Sequence, residues 1–112
     1  QKREFIYVDD IASSIYFIIK NINNSKYNIF SSQKKYFNIG SGEEISIRNL
    51  SHMIANIVDY KGKILFDKSM PDGNKRRLLN SKYFQSKGWK AKIKLEEGLA
   101  LTYKWYLKNV TK

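Results

Sequence analysis

A chain of 112 residues that is 42% hydrophobic and 14% aromatic carries enough apolar material for one modest core and too much for a disordered segment. It has no cysteine, which removes disulfides, thiolate nucleophiles and cysteine-ligated metals together and fits a reducing, cytoplasmic setting. The net charge of +11 raises a nucleic-acid reading, but Lys and Arg are spread through every predicted element, mostly opposite the apolar positions, so a solvated basic surface is expected and no nucleic-acid partner.

The chain opens on Gln1, directly against a strand-like run, and reads as a piece cut from a longer protein. Glu4–Val8 is short and rich in β-formers, which predicts a strand. Asp9 and Asp10 then offer acceptors and negative charge at a helix start. Ile11, Ile15, Ile18, Ile19 and Ile22 follow helical spacing and form one stripe, which needs a flat apolar surface to lie against. Residues 23–35 are polar and predict a loop.

Tyr36–Ile39 predicts a second strand, followed by a tight turn at Gly40-Ser41-Gly42. Ser46 is a good N-cap for a helix carrying Ile47, Leu50, Ile54, Ile57 and Val58, which should stop near Tyr60–Gly62 with Gly62 just past the C-cap. Lys63–Asp67 predicts a third strand. Ser81 can cap a short helix through Lys87, ended by Gly88. Leu95, Leu99, Thr102, Tyr103, Tyr106, Leu107 and Val110 mark a last helix, in which Gly98 costs about 1 kcal/mol of propensity. Strands alternating with helices predict an α/β architecture with partly parallel pairing. No apolar run approaches the roughly 18 residues of a membrane span, so no membrane partner is expected.

Most of the tempting chemistry has a plainer explanation. Gly40-Ser41-Gly42 opens no G-x-G-x-x-G and is followed by no Gly-Lys-Ser/Thr, so it reads as a turn. His52 is the single histidine and has no carboxylate three or four residues away, which describes a surface or packed helical side chain. Helix capping accounts for Asp9 and Asp10, and the chain offers too few convergent ligands for a metal.

Residues 69–79, SMPDGNKRRLL, are different. They combine the only proline, an Asp-Gly turn and the densest positive charge. A guanidinium at Arg3, just before a strand, can grip a phosphate with two parallel hydrogen bonds. Asp72 offers an acceptor for ribose hydroxyls, and Arg76 and Arg77 offer further cations. One acceptor beside several cations suits a nucleoside diphosphate, although a solvated turn with surface charge has about equal standing on spacing alone.

Four stretches, KREFIYVDDIASS, FNIGSGEEISIRNL, GKILFDKSMPDGNKRRLL and KGWKAKIKLEEGLALTYKWYLKN, together resemble the carboxyl-terminal third of GDP-L-fucose synthases, a family of extended short-chain dehydrogenases. The REF-x-x-VDD and N-x-G-x-G elements are shared with many sugar-nucleotide epimerases and dehydratases, an equivalent portion of which is the alternative. The combination of FD, PDG, a basic pair, LL and GW is more specific.

The resemblance implies the sugar-nucleotide-binding part of an enzyme that makes GDP-L-fucose from GDP-4-keto-6-deoxy-mannose by epimerisation and NADPH-dependent reduction. It implies that Arg3 meets the substrate's phosphates, that Asp72 contacts the GDP portion, and that Arg77, at a position usually lysine, lies near the nucleotide. Asn74-Lys75 replaces the family's usual Thr-Pro, and Asn80 a usual Asp. The family's dinucleotide turn, its Tyr-x-x-x-Lys and its Cys/His pair belong upstream of these motifs. No catalytic residue and no bound cofactor is therefore expected within residues 1–112, the partner of the 10–22 helix and the 36–39 strand being a Rossmann portion outside them. For the whole enzyme the resemblance implies a homodimer.

Overall fold

The computed structural model describes residues 1–30 and 36–110, so residues 31–35 of the expected polar loop lie outside it. Along the chain run β1 (Lys2–Glu4), α1 (Val8–Asn21), β2 (Glu44–Ser46), α2 (Ile47–Ile57), β3 (Arg76–Arg77), α3 (Lys82–Ser86) and α4 (Leu95–Asn109). The strands form one sheet in the order β2-β1-β3, with β2 antiparallel to β1 and β3 parallel to it. The α/β class and the mixed pairing are therefore as expected.

Every strand nevertheless sits away from where β-propensity placed it. The first lies at residues 2–4 rather than 4–8, and the runs 36–39 and 63–67 are irregular, their places in the sheet taken by 44–46 and 76–77. Strand preference measures packing on a neighbouring strand more than it measures the backbone. Tyr36 and Leu65 are more than four-fifths exposed and find no such neighbour here.

The helices follow local chemistry more closely. Ser46 caps α2 as expected, its Oγ accepting from the Asn49 amide at 3.1 Å. The other end differs. Asp59, not Gly62, takes the left-handed conformation (φ +57°), and the amides of Asp59 and Tyr60 donate back to the carbonyls of Asn56 (3.3 Å) and Ala55 (2.8 Å). That is a Schellman closure, with an aspartate in the place usually held by glycine. α3 ends at Gly88 (φ +104°) as expected, but its first turn is served by Asn80, whose Oδ1 accepts from the Lys82 amide, and not by Ser81. Gly98 has a packing reason to be in α4: a Cβ there would fall 3.1 Å from Cβ of Tyr7.

α1 corrects two expectations. The Asp10 side chain does not cap its own helix. It is buried, and its carboxylate accepts from the backbone amides of Lys92 (3.1 Å) and Ile93 (2.9 Å), tying the start of α1 to the segment ahead of α4. The covered face of α1 is also not the isoleucine stripe. Asp10, Ser14 and Asn21 are buried with Phe17 beside them, whereas Ile15 is 50% and Ile19 69% exposed. A helix buries the row that meets its neighbour. Here that neighbour is an aromatic cluster with polar edges.

Phe84 of α3 is fully buried, stacked between Phe37 (4.8 Å between centroids) and Trp89 (5.2 Å) and met edge-on by Phe17 (5.7 Å). Trp89 Nε1 donates to Ser13 Oγ at 2.9 Å, and the Tyr83 hydroxyl donates to the Ile29 carbonyl at 2.7 Å, so the polar tips of the rings are satisfied as well.

This core is small for the chain. Among the described residues the fully or nearly buried hydrophobic side chains are Ile29, Phe84 and Trp89. The radius of gyration is 17.6 Å where a compact domain of this length has about 13 Å. The accessible surface is 9037 Å² where about 6400 Å² is ordinary for the mass. The open isoleucine row of α1 and the outer face of α4, with Trp105 and Leu107, make up part of the excess. Apolar area on that scale favours association. The isolated 112-residue chain should sediment at physiological salt as a self-associating species, and a compact monomer with a cooperative melt would show that these faces close on themselves.

Candidate nucleotide-loop site

β1 is the strand on which the candidate residues meet. The Lys2 amide donates to the Lys75 carbonyl at 2.9 Å, and the parallel ladder sets Lys2 opposite Arg76 and Arg3 opposite Arg77. Arg3 then reaches around the loop. Its Nη1 donates to the carbonyls of Lys2 (2.7 Å) and Asn74 (2.9 Å), and its Nη2 donates to Gln1 Oε1 at 3.3 Å. The Gln1 amide closes the circuit, Nε2 donating to Asp72 Oδ1 at 3.3 Å. The loop passes close by, a Cβ at Gly73 falling 3.8 Å from Arg3 Nη2.

Arg3 and the loop that carries Asp72 and Arg77, about seventy residues apart in sequence, thus meet along a three-residue strand. Their donors are not all used. Arg3 Nε has no hydrogen-bond partner among the described residues, and Nη2 holds only the long bond to Gln1. The exposed Arg77 side chain has no ion pair or hydrogen bond among the described residues. Arg76 does: its Nε donates to Glu44 Oε2 at 2.7 Å. Of the two arginines in the loop, one is neutralised and one is open.

Sequence reasoning gave no role to Gln1, Glu4, Glu44 or Asn74. Their contacts come from cross-strand register and from a backbone carbonyl, which no local motif signals. Asp67, expected at the end of a strand, lies instead in irregular chain just ahead of the loop. That carboxylate accepts from the Ser69 hydroxyl (2.6 Å) and amide (2.8 Å), which hold its pKa below the usual aspartate value.

A second concave feature lies elsewhere. A depression of about 360 Å³ opens between Phe5–Tyr7, residues 41–45, residues 90–95 and the first turn of α4, and it includes none of Arg3, Asp72 and Arg77. At its rim Lys94 Nζ donates to Glu43 Oε1 at 2.8 Å. His52 stands exposed on α2 with its ring 6.5 Å from Phe66. No cluster of three or more potential metal ligands exists among the described residues, and no helix among them is long and apolar enough to cross a membrane.

No protein-family model matches the sequence. Individual proteins do. GDP-L-fucose synthase 1 of Arabidopsis thaliana is 41% identical over 108 residues, and GDP-L-fucose synthase of Escherichia coli K12 is 38% identical over 107, each match covering 96% of this chain. A GDP-6-OMe-4-keto-L-xylo-heptose reductase from Campylobacter jejuni superposes with a TM-score of 0.82 at 34% identity, over 96% of this chain. The chain is homologous to the carboxyl-terminal portion of GDP-L-fucose synthases. It spans 31% and 33% of the lengths of those two synthases, and 31% of the reductase. The GDP-L-fucose synthase likeness and the superposition together place the α/β fold in the extended short-chain dehydrogenase class.

Another structural neighbour, the GDP-mannoheptose C4 reductase of Campylobacter jejuni (TM-score 0.78, 35% identity), was solved with NADP bound. Among the described residues of this GDP-L-fucose synthase homologue, one turn invites comparison with a cofactor's phosphate seat. This glycine-paired turn leads into a strand, not a helix. The Gly42 amide is taken by Glu4 Oε2 at 2.8 Å, and a Cβ at Gly40 would meet that same carboxylate at 2.7 Å. A pyrophosphate would meet a carboxylate already seated on the Gly42 amide there.

The rim pair gives a direct electrostatic test. The hydrogen bond and charge of Lys94 hold the Glu43 carboxyl below its ordinary value, and Glu43 raises Lys94 in turn. A depressed carboxyl favours the folded form above its unfolded pKa and loses that contribution as pH falls through the folded value. A raised lysine does so below its own unfolded value and loses it as pH rises. The pair is thus intact across neutral pH. The Glu43 carboxyl resonance should titrate below the usual glutamate midpoint and return to it in Lys94→Ala; equal midpoints in both proteins would remove the interaction.

Proposed function

We propose that residues 1–112 are the sugar-nucleotide-binding portion of an NADPH-dependent GDP-L-fucose synthase, in which Arg3 and Arg77 hold the diphosphate and Asp72 contacts the GDP end. The dinucleotide-binding and catalytic portion is contributed by chain outside these residues. The reading is supported by the length of the synthase relatives, about three times that of this chain.

One observation carries the assignment of the site. The ladder sets Arg3 opposite Arg77, and Gln1 links Arg3 to Asp72, so three residues of complementary chemistry meet with a partly used guanidinium and an unpaired one among the described residues. Guanidinium groups suit phosphate oxygens through paired, charge-assisted hydrogen bonds, and a carboxylate suits hydroxyl donors. The GDP-L-colitose synthase of Yersinia pseudotuberculosis, 34% identical over 106 residues, and the GDP-heptose reductases share the GDP end and differ in sugar. The loop is accordingly read as the nucleotide grip and not as the sugar selector.

In the natural gene product that contains this chain, Arg77→Ala and Asp72→Ala should each weaken GDP binding by roughly 1–3 kcal/mol, the worth of a charge-assisted hydrogen bond. Arg3→Ala should cost at least as much, because Arg3 also holds the loop through the Asn74 carbonyl. Unchanged calorimetric affinity for GDP in the Arg77 and Asp72 variants would defeat the assignment. The 112-residue chain by itself should oxidise no NADPH in the presence of GDP-4-keto-6-deoxy-mannose, and turnover above background would refute the division of labour.

A further inference from the structure

The loop that carries Asp72 and Arg77 is joined to the sheet by a ladder of only two residues, both exposed. A ladder that short does not hold a side chain in place. The missing restraint is on the opposite face of the sheet. Residues paired across a ladder share a face, so Lys2, Glu4, Glu44 and Arg76 lie on one side, and Arg3, Ile45 and Arg77 on the other.

Two carboxylates on the first side hold this stretch, one at β3 itself and the other two residues past it. Glu44, only 14% exposed at its side chain, accepts from Arg76 Nε at 2.7 Å and faces Lys2 Nζ at 3.9 Å. Glu4, its direct partner in the antiparallel ladder, accepts from the Leu79 amide through Oε1 at 3.3 Å and from the Gly42 amide through Oε2 at 2.8 Å. The Glu4 carboxylate is seated in a slot that only glycine leaves open, since a Cβ at Gly40 would lie 2.7 Å from both of its oxygens.

We propose that Glu4 and Glu44 are positioning residues for nucleotide binding: by gripping the chain at Arg76 just before Arg77 and at Leu79 just after it, they hold Arg77 beside Arg3. Both carboxylates are satisfied on the far side of the sheet, so they act on the ligand only through β3. The inference rests on the reading of Arg3, Asp72 and Arg77 as nucleotide contacts.

A double-mutant cycle read by GDP calorimetry separates the two. In the natural gene product containing this chain, Glu4→Gln and Glu44→Gln should each weaken GDP binding roughly fivefold, as for one lost hydrogen bond at the loop. Each should cost nothing further when Arg77 is already alanine. Two variants with independent partners keep the test alive if one of them folds poorly. If Arg77→Ala weakens GDP binding while both glutamine variants bind like the parent, the positioning role is overturned and the contacts stand. Penalties that simply add to that of Arg77→Ala also overturn it, since they report a loss of stability and not of geometry. If Arg77→Ala binds GDP like the parent, the contact reading itself falls.

Discussion

The site depends on β1 having a neighbour on both sides. Three residues must supply one antiparallel and one parallel ladder at once. The alternation of a strand then does the sorting: odd-numbered Arg3 faces the loop that could receive a ligand, and even-numbered Lys2 and Glu4 face the ion-pair side. A slip of one residue in β1 would exchange Arg3 for Glu4 on the face shared with Arg77 and place a carboxylate where the proposed phosphate grip needs a cation. The register is set by what the strand's own side chains hold, Asn74 and Lys2 carbonyls by Arg3, Gly42 and Leu79 amides by Glu4.

The second half of the molecule is attached by different means. α1 leaves β1 after Tyr7 and is pinned along its length: Asp10 to the amides of Lys92 and Ile93, Ser13 to the Trp89 indole, Phe17 to the face of the Phe84 cluster. A buried carboxylate that accepts two backbone amides has its desolvation offset by the bonds it makes, and removing it would strand both amides. Tyr7 lies against Gly98 of α4, which links the sheet side to the last helix. These contacts cover the polar row of α1 and leave Ile15 and Ile19 outward, so the same helix that organises the aromatic core presents apolar side chains away from it.

How much of this was legible in the sequence divides by range. Helices were legible because their signals are local: Ser46 with its amide three residues on, Gly88 with its positive φ, the spacing from Leu95 to Val110. Where a local signal had a competitor it misled, as when Asp59 rather than Gly62 took the left-handed turn. Strands were misplaced because pairing is decided by a partner up to about 75 residues away, and runs such as Tyr36–Ile39 have the composition of a strand without a ladder here. Asp10 looked like a helix cap and serves a distant backbone segment instead. Arg3, Asp72 and Arg77 were legible as chemistry, and the fold brings Arg3 and their loop together along one strand. Gln1, Glu4 and Glu44 were not, since nothing in their own neighbourhood distinguishes them from surface polar residues.

The basic excess also becomes specific once the register is known. Lys2, Arg76 and Lys94 are each balanced by a glutamate, whereas Arg77 is left without a protein counter-charge among the described residues. An unpaired guanidinium beside a partly used one is what gives this loop its claim on an anionic ligand. The most direct measurement is a map of backbone amide shifts on titration of GDP into the natural gene product that contains this chain. The account predicts perturbations concentrated at Arg3 and at residues 72–77, with the depression between Phe5–Tyr7 and residues 90–95 unaffected. Perturbations centred on that depression, with Arg3 and the loop unmoved, would contradict it.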